Sequence, residues 1–201
     1  MQYFQKQSSL ALGNGIYRTA MEGLYFIEQN PNVDERGWYS ELSKLKEIEQ
    51  AIGHPFVIEQ INLSYSKTNV IRGFHAENWG KLLFPISGEC LSVLADFRPQ
   101  SSTFKQTLAF EMGKNGQMSG SIFIPPGIGN SFLVTKGPLY YLYCVNALYK
   151  ERDKIGDIAI SLFDEELNID WPISREKMII SQRDLNSTTL KLWSKQNNSS
   201  L

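Results

Sequence analysis

Short apolar runs of strand length, each closed by a turn signal, fill residues 23–147, and they narrow the choice of architecture more than any other feature. Leu24–Glu28, Val57–Ser64, Asn69–His75, Lys81–Ile86, Cys90–Arg98, Gln106–Met112, Ser119–Ile124, Ser131–Val134 and Leu139–Val145 are rich in Ile, Val, Leu, Phe and Tyr. Gly53-His-Pro55, Ser87-Gly88, Pro99–Ser102, Gly113–Gly116, Pro125-Pro-Gly127 and Lys136-Gly-Pro138 separate them. Many short strands at this spacing predict a sandwich, barrel or jelly roll. Within 90–98, Leu91, Val93, Ala95 and Phe97 share one face by the two-residue repeat, while Ser92, Leu94 and Asp96 make a mixed second face. Leu42, Leu45, Ile48 and Ile52 carry helical spacing, with Ser40 as N-cap and Gly53 as stop. A second helix is expected near Ile173–Leu185, begun by Pro172. The polar stretch Ser194–Leu201 reads as a disordered tail. No repeat or composition break splits the chain. It reads as one domain over 23–172 with extensions at 1–22 and 173–201.

A chain of 201 residues is long enough to bury a core without disulfide or metal staples. Its 20 Lys+Arg against 21 Asp+Glu leave a net charge of -1, which argues against a nucleic-acid partner held by a basic field. No run of 18 apolar residues is present, so no membrane span is expected. The start offers only Leu10-Ala11-Leu12, too short for a signal peptide. Cys90 and Cys144 lie in apolar strand-like runs and read as reduced core thiols of a cytoplasmic protein. His54 and His75 are the two histidines and form no H-x-H pair, so a metal site within one chain would need mostly carboxylate ligands.

Several local patterns each admit two readings. His75 closes a strand after Arg72-Gly73-Phe74. By alternation it shares a face with Gly73 and Ile71, opposite Arg72 and Phe74. It is either a hydrogen-bonded strand end or the wall of a pocket that Gly73 leaves open. Asp34–Glu41 is either a solvated turn or a place where Arg36 holds phosphate and an aromatic ring stacks on a base. Tyr141 and Tyr143 share a strand face, as core-edge residues often do. Asp164 sits in the acidic run Phe163–Glu166, which reads as a loop.

The order of these blocks resembles the dTDP-4-dehydrorhamnose 3,5-epimerase family of cupin-type β-barrels, from about Leu24 to Pro172. The family's D-x-R-G-F-F-x-E is similar to Asp34–Glu41, and its Q-x-N-x-S to Gln60, Asn62 and Ser64. R-G-L-H resembles Arg72–His75, and G-K-L is Gly80-Lys81-Leu82. G-E-V-x-D-V-x-V-D-I-R resembles Gly88–Arg98, and I-P-x-G-x-x-H-G-F resembles Ile124–Phe132. The F-L-Y strand corresponds to Tyr141-Leu142-Tyr143, and the closing W-N-D-x-x-x-x-I-x-W-P to Leu162–Pro172. The fold implied is all-β: a cupin-type jelly-roll barrel with a few short peripheral helices.

The activity implied is inversion at C3, C5 or both of a nucleotide-linked 4-keto-6-deoxy sugar. The ketone acidifies the hydrogens on its neighbouring carbons. A base removes one, an enolate forms, and an acid returns a proton to the opposite face. By resemblance His75 is the base, Asp164 its carboxylate partner, Lys81 the cation at the enolate oxygen and Tyr143 the acid. Arg36, Tyr39, Glu41, Gln60, Asn62, Arg72 and Asn130 fall at substrate-binding positions. No metal and no cofactor are implied. A homodimer is implied, because in the family the N-terminal region of a second subunit completes the site. Three departures from the pattern matter, the third at two positions. Asn130 replaces a family histidine, which narrows the reaction to one carbon, changes the sugar or leaves it unaltered, since Asn still donates and accepts hydrogen bonds. The aromatic that stacks on the base falls at Leu148, with Tyr149 next. Leu162 stands for a tryptophan, and the aspartate after G-E-V-x is replaced near Leu91-Ser92. The alternative reading is a non-catalytic cupin that binds a sugar nucleotide. It would need neither His75 nor Tyr143.

Overall fold

The structure is a computed structural model and describes residues 1–113, 119–151 and 156–198. Two long strands organise it. β9 (Lys81–Asp96) and β12 (Ile128–Val145) run antiparallel along almost their whole lengths, from Asp96 opposite Ile128 to Lys81 opposite Val145. Each was expected as two strands with a turn between. They are instead continuous, with register shifts around Lys136. Gly88 (φ +86°) and Gly137 sit in this bend, and at each a Cβ would come within 2.6 Å of backbone. Glycine here allows the two strands to pass from one sheet to the other, with their pairing resumed on the far side of the bend.

The other strands attach to the halves of this spine. They are β1 (Gln2–Tyr3), β2 (Ala11–Gly13), β3 (Ile16–Arg18), β4 (Tyr25–Glu28), β7 (Gln60–Ser66), β8 (Ile71–Glu77), β10 (Thr107–Met112), β11 (Gly120–Ile124) and β13 (Asp157–Ala159). β13 and β8 extend the first half of β12, and β10 with β1 extends the second half of β9. β7 pairs with the second half of β12, while β11, β4, β3 and β2 follow from the first half of β9. Two layers face each other, antiparallel except for the short β1–β10 pair, as in a jelly roll. A separate hairpin, β5 (Asn32–Asp34) with β6 (Gly37–Tyr39), is exposed throughout.

Three apolar layers result. Phe26, Leu83, Leu94, Phe110, Ile124, Phe132 and Tyr141 meet between the sheets. Helix α1 (Leu45–Ile52) covers the outer face of one sheet through Ile48, against Phe56, Phe84 and Phe123. Gly53 ends it at φ +80° with its N–H on the Glu49 carbonyl (2.9 Å), as expected, but Lys44 rather than Ser40 precedes its first turn. The C-terminal segment covers the outer face of the other sheet. Ile160, Leu162, Leu167 and Leu190 pack there on Phe74, Val93 and Ala95. Burial on both faces explains why Cys90–Asp96 reads as nearly continuous apolar sequence rather than clean alternation.

The expected helix at Ile173–Leu185 is instead a single tight turn (Arg175–Lys177), a bridge from Ile179 to Val70, and the four-residue helix α2 (Gln182–Leu185). Of the stretch read as a tail, 194–198 lies in helix α3 (Leu190–Asn198), and 199–201 lie outside the described residues. Among the described residues no helix is long and apolar enough to cross a membrane.

Candidate active site

The site lies between the two layers, where β8 and β12 present side chains inward. Strict alternation would put Arg72 and His75 on opposite faces. The register between β8 and β12 shifts instead, with Arg72 opposite Phe132 but His75 opposite Asn130. This bulge turns both Arg72 and His75 into one cavity, while Ile71 and Phe74 pack outward with the C-terminal segment. Gly73, at φ +109°, makes it possible, because a Cβ there would sit 2.3 Å from the Asn130 carbonyl.

The cavity has a volume of about 600 Å³ and takes side chains from several elements. β8 gives Arg72, His75 and Glu77; β9 gives Lys81; β12 gives Asn130 and Tyr143. β7 gives Asn62, which lies opposite Tyr143 in the pairing of β7 with β12. Helix α2 adds Arg183 and Asp184.

His75 Nε2 lies 2.7 Å from Asp184 Oδ1, and Nδ1 lies 3.9 Å from Asp157 Oδ1. Burial disfavours the charged imidazole, yet the two carboxylates outweigh it and hold the His75 pKa above the ordinary range. Burial likewise works to raise the Asp184 carboxyl. The His75 hydrogen bond and charge, the Ser181 hydroxyl and the Gly73 N–H outweigh that and keep it low. The Ser181 hydroxyl also accepts from the Asp184 N–H at 3.1 Å, capping α2 and fixing the aspartate.

This geometry corrects the reading of Asp164 as the partner of His75. Asp164 is buried and accepts from the Leu190 and Glu166 N–H groups at 2.7 and 3.0 Å. It anchors the start of α3 and has a structural task. Asp184 was missed because it falls in the stretch read as an extension; the Ser181-x-x-Asp184 helix start was the signal available.

Lys81 is buried. Its ammonium is paired with the Glu77 carboxylate and donates to the His75 carbonyl at 3.2 Å. Burial pushes the Tyr143 phenol up to about 12, although the Arg72 charge pulls the other way. Tyr143 packs edge-on against Tyr141, which is core. Arg72 donates to the Ser66 hydroxyl at 3.1 Å, which orients its guanidinium. Asn130 is 8% exposed, and its Oδ1 is buried without a hydrogen-bond partner.

The remaining expected residues divide. Gln60 stands behind the cavity wall, donating to Asn62 Oδ1 (2.6 Å) and accepting from the Tyr149 N–H (2.9 Å). Tyr149, not Leu148, lines the cavity. Arg36, Tyr39 and Glu41 are not brought to it. Arg36 is exposed and pairs with Asp34, Tyr39 is 67% exposed at the end of β6, and Glu41 pairs with Lys44. Among the described residues no cluster of His, Cys, Asp and Glu is arranged to hold a metal ion.

Residues 18–191 match the family model described as dTDP-4-dehydrorhamnose 3,5-epimerase. The chain is 30% identical over 178 residues to the dTDP-4-dehydrorhamnose 3,5-epimerase of Methanothermobacter thermautotrophicus, covering 87% of this chain and 93% of that one. It is 28% identical to a dTDP-4-dehydro-6-deoxyglucose 3-epimerase of a Streptomyces species, covering 85% and 86%. The solved structure of dTDP-6-deoxy-D-glucose-3,5-epimerase from Legionella pneumophila, in complex with dTDP-4-keto-L-rhamnose, superposes with a TM-score of 0.78. It is 29% identical, over 88% of this chain and 93% of that one.

Proposed function

This chain belongs to the dTDP-4-dehydrorhamnose 3,5-epimerase family, and from that premise we propose how its own residues carry out the reaction. It is a nucleotide-sugar epimerase, an isomerase that inverts C3, C5 or both of a 4-keto-6-deoxy sugar. The observation that carries the assignment of roles is that a His75–Asp184 pair and Tyr143 share one cavity.

With Nε2 occupied by Asp184, His75 Nδ1 is the nitrogen that accepts the proton from the carbon beside the ketone. The C–H bond breaks, its electron pair moves into the carbon framework, and the ketone oxygen becomes an enolate oxygen. An ammonium has three donors. Two of those on Lys81 go to Glu77 and the His75 carbonyl, and the third is left for that oxygen. The high pKa of Tyr143 keeps its phenol protonated at neutral pH, so it has a proton to give. It donates to the carbon from the opposite face, and solvent later reprotonates the phenolate and deprotonates His75. Arg72, Asn62 and Asn130 hold the sugar and its phosphates, with Gln60 fixing Asn62 from behind.

The active unit is a homodimer. The outer side of β7 exposes Ile61 (61%), Leu63 (62%) and Tyr65 (52%) in a row. No strand pairs with its free edge among the described residues. A monomer has no reason to leave such a patch on an unpaired edge. In the dimer the β5–β6 hairpin and the residues just after it deliver Arg36, Tyr39 and Glu41 to the cavity of the other subunit. The nucleotide is a thymidine diphosphate, as in the names of the relatives. The compartment is cytoplasmic, in keeping with two buried free thiols.

The test of the catalytic assignment compares Asp184→Asn with Asp164→Asn. Solvent exchange of the sugar's C3 and C5 hydrogens should collapse in the first and persist in the second. The reverse pattern would return Asp164 to the role of His75's partner.

A further inference from the structure

His75 lies between two carboxylates at unequal distances. Asp184 takes Nε2 at 2.7 Å. Asp157, on β13, stands 3.9 Å from Nδ1, beyond hydrogen-bond range but inside the range of strong charge interaction. The other oxygen of Asp157 is engaged by Arg183, the neighbour of Asp184 on α2. One turn of helix thus presents an aspartate to one side of the imidazole and an arginine to the carboxylate on its other side.

We propose that Asp157 and Arg183 are positioning residues for the base: Asp157 stabilises the imidazolium formed at Nδ1, and Arg183 holds Asp157 back so that Nδ1 stays open to the sugar. Without Asp157, protonated His75 would rest on Asp184 alone. Without Arg183, the carboxylate would be free to close on Nδ1 and capture its proton as a hydrogen bond. The base would then be more basic and less available. The backbone supports this placement, since Asp157 is opposite Glu77 and Ala159 is opposite His75, which puts all of them on one face of the β8–β13 pair. The charged groups around the ring are Asp184 and Arg183 from α2, Asp157 from β13, Lys81 from β9 paired with Glu77 of β8, and, farther round the cavity, Arg72 and the phenol of Tyr143. Asp157 and Asp184 favour the charged ring, and Arg183 disfavours it.

The idea rests on His75 as the base, but its test needs no substrate. The chain has two histidines, so proton NMR resolves two imidazole Cε1–H titrations, with exposed His54 as the internal control. Asp157→Asn should move the His75 midpoint to lower pH. Arg183→Gln should move it to higher pH while kcat falls, and Arg183→Lys should return both toward wild type. A merely structural role would not give shifts of opposite sign with His54 unmoved. A His75 midpoint unchanged in Asp157→Asn, or lowered in Arg183→Gln, overturns the proposal. If Asp157→Asn does not fold, the Arg183 pair of variants decides it alone. Exchange of sugar hydrogens by His75→Ala is a separate result, and it bears on the base and not on these two residues.

Discussion

Asp164 and Asp184 are both buried aspartates of the C-terminal third, and only their surroundings separate their roles. Asp164 spends its oxygens on two backbone N–H groups; Asp184 presents one to an imidazole 109 residues earlier in the chain. No local pattern reports a contact of that separation, so the motifs pointed to His75, Lys81, Asn62 and Tyr143, which share the cavity, and did not point to the carboxylate beside them. Asp184→Asn should cost about a hundredfold in kcat, because it removes both the tautomer lock and the charge that stabilises the imidazolium. Asp164→Asn should leave kcat nearly intact and lower stability by about 1–2 kcal/mol in urea unfolding, through the two weakened backbone contacts. Tyr143→Phe should uncouple the two halves of the reaction, so that deuterium enters from solvent while little inverted sugar accumulates. Equal loss of both would assign the acid elsewhere. The pH profile carries a definite sign. As the proposed base, His75 would work only when neutral, and its pKa is raised. kcat/KM should therefore fall as pH drops through a midpoint above the ordinary value of about 6.5; a midpoint below it would contradict the carboxylate setting.

At the scale of elements, the strands were readable and their continuity was not. Ser87-Gly88 and Lys136-Gly-Pro138 carry every local sign of a turn, yet both lie within strands that bend from one layer to the other. The same local signs serve a hairpin and a bend, and only the pairing of β9 with β12 tells them apart. The β8 bulge is of the same kind: alternation separates Arg72 from His75, and the shift opposite Asn130 and Phe132 reunites them. The loop after β9 shows how such an element is secured. Asp96 is fully buried, which works to raise its pKa, but Arg98, Thr103 and Ser101 outweigh burial and bring it down from 3.8 to about 2. A depressed carboxylate stabilises the fold above its unfolded pKa and ceases to as pH falls through its folded one. Asp96→Asn should thus cost about 2 kcal/mol at neutral pH, with the gap from wild type closing between pH 3.8 and about 2. A gap that persists at pH 2 would point to packing rather than charge.

Over the whole molecule, one chain encloses His75, Lys81, Tyr143 and Asp184, the proposed reacting groups, but leaves Arg36, Tyr39 and Glu41 outside their cavity. Sequence order grouped these residues with His75, while the structure of one chain separates them, and the proposed homodimer would reconcile the two. Ile61→Asp combined with Leu63→Asp should give a monomer by light scattering and a lower kcat. A wild-type chain that is monomeric and fully active would remove the need for a partner. The central claim is proton transfer beside the ketone at His75, and proton NMR in D2O with dTDP-4-keto-6-deoxyglucose tests it most directly. Wild type and His75→Ala are followed side by side at the C3 and C5 hydrogens. Wild type should lose one or both signals, with loss of a single one assigning the restriction to Asn130's neighbourhood, while His75→Ala binds the nucleotide and exchanges neither. Exchange by His75→Ala at the wild-type rate, or none by wild-type enzyme with the sugar nucleotide bound, would contradict the account.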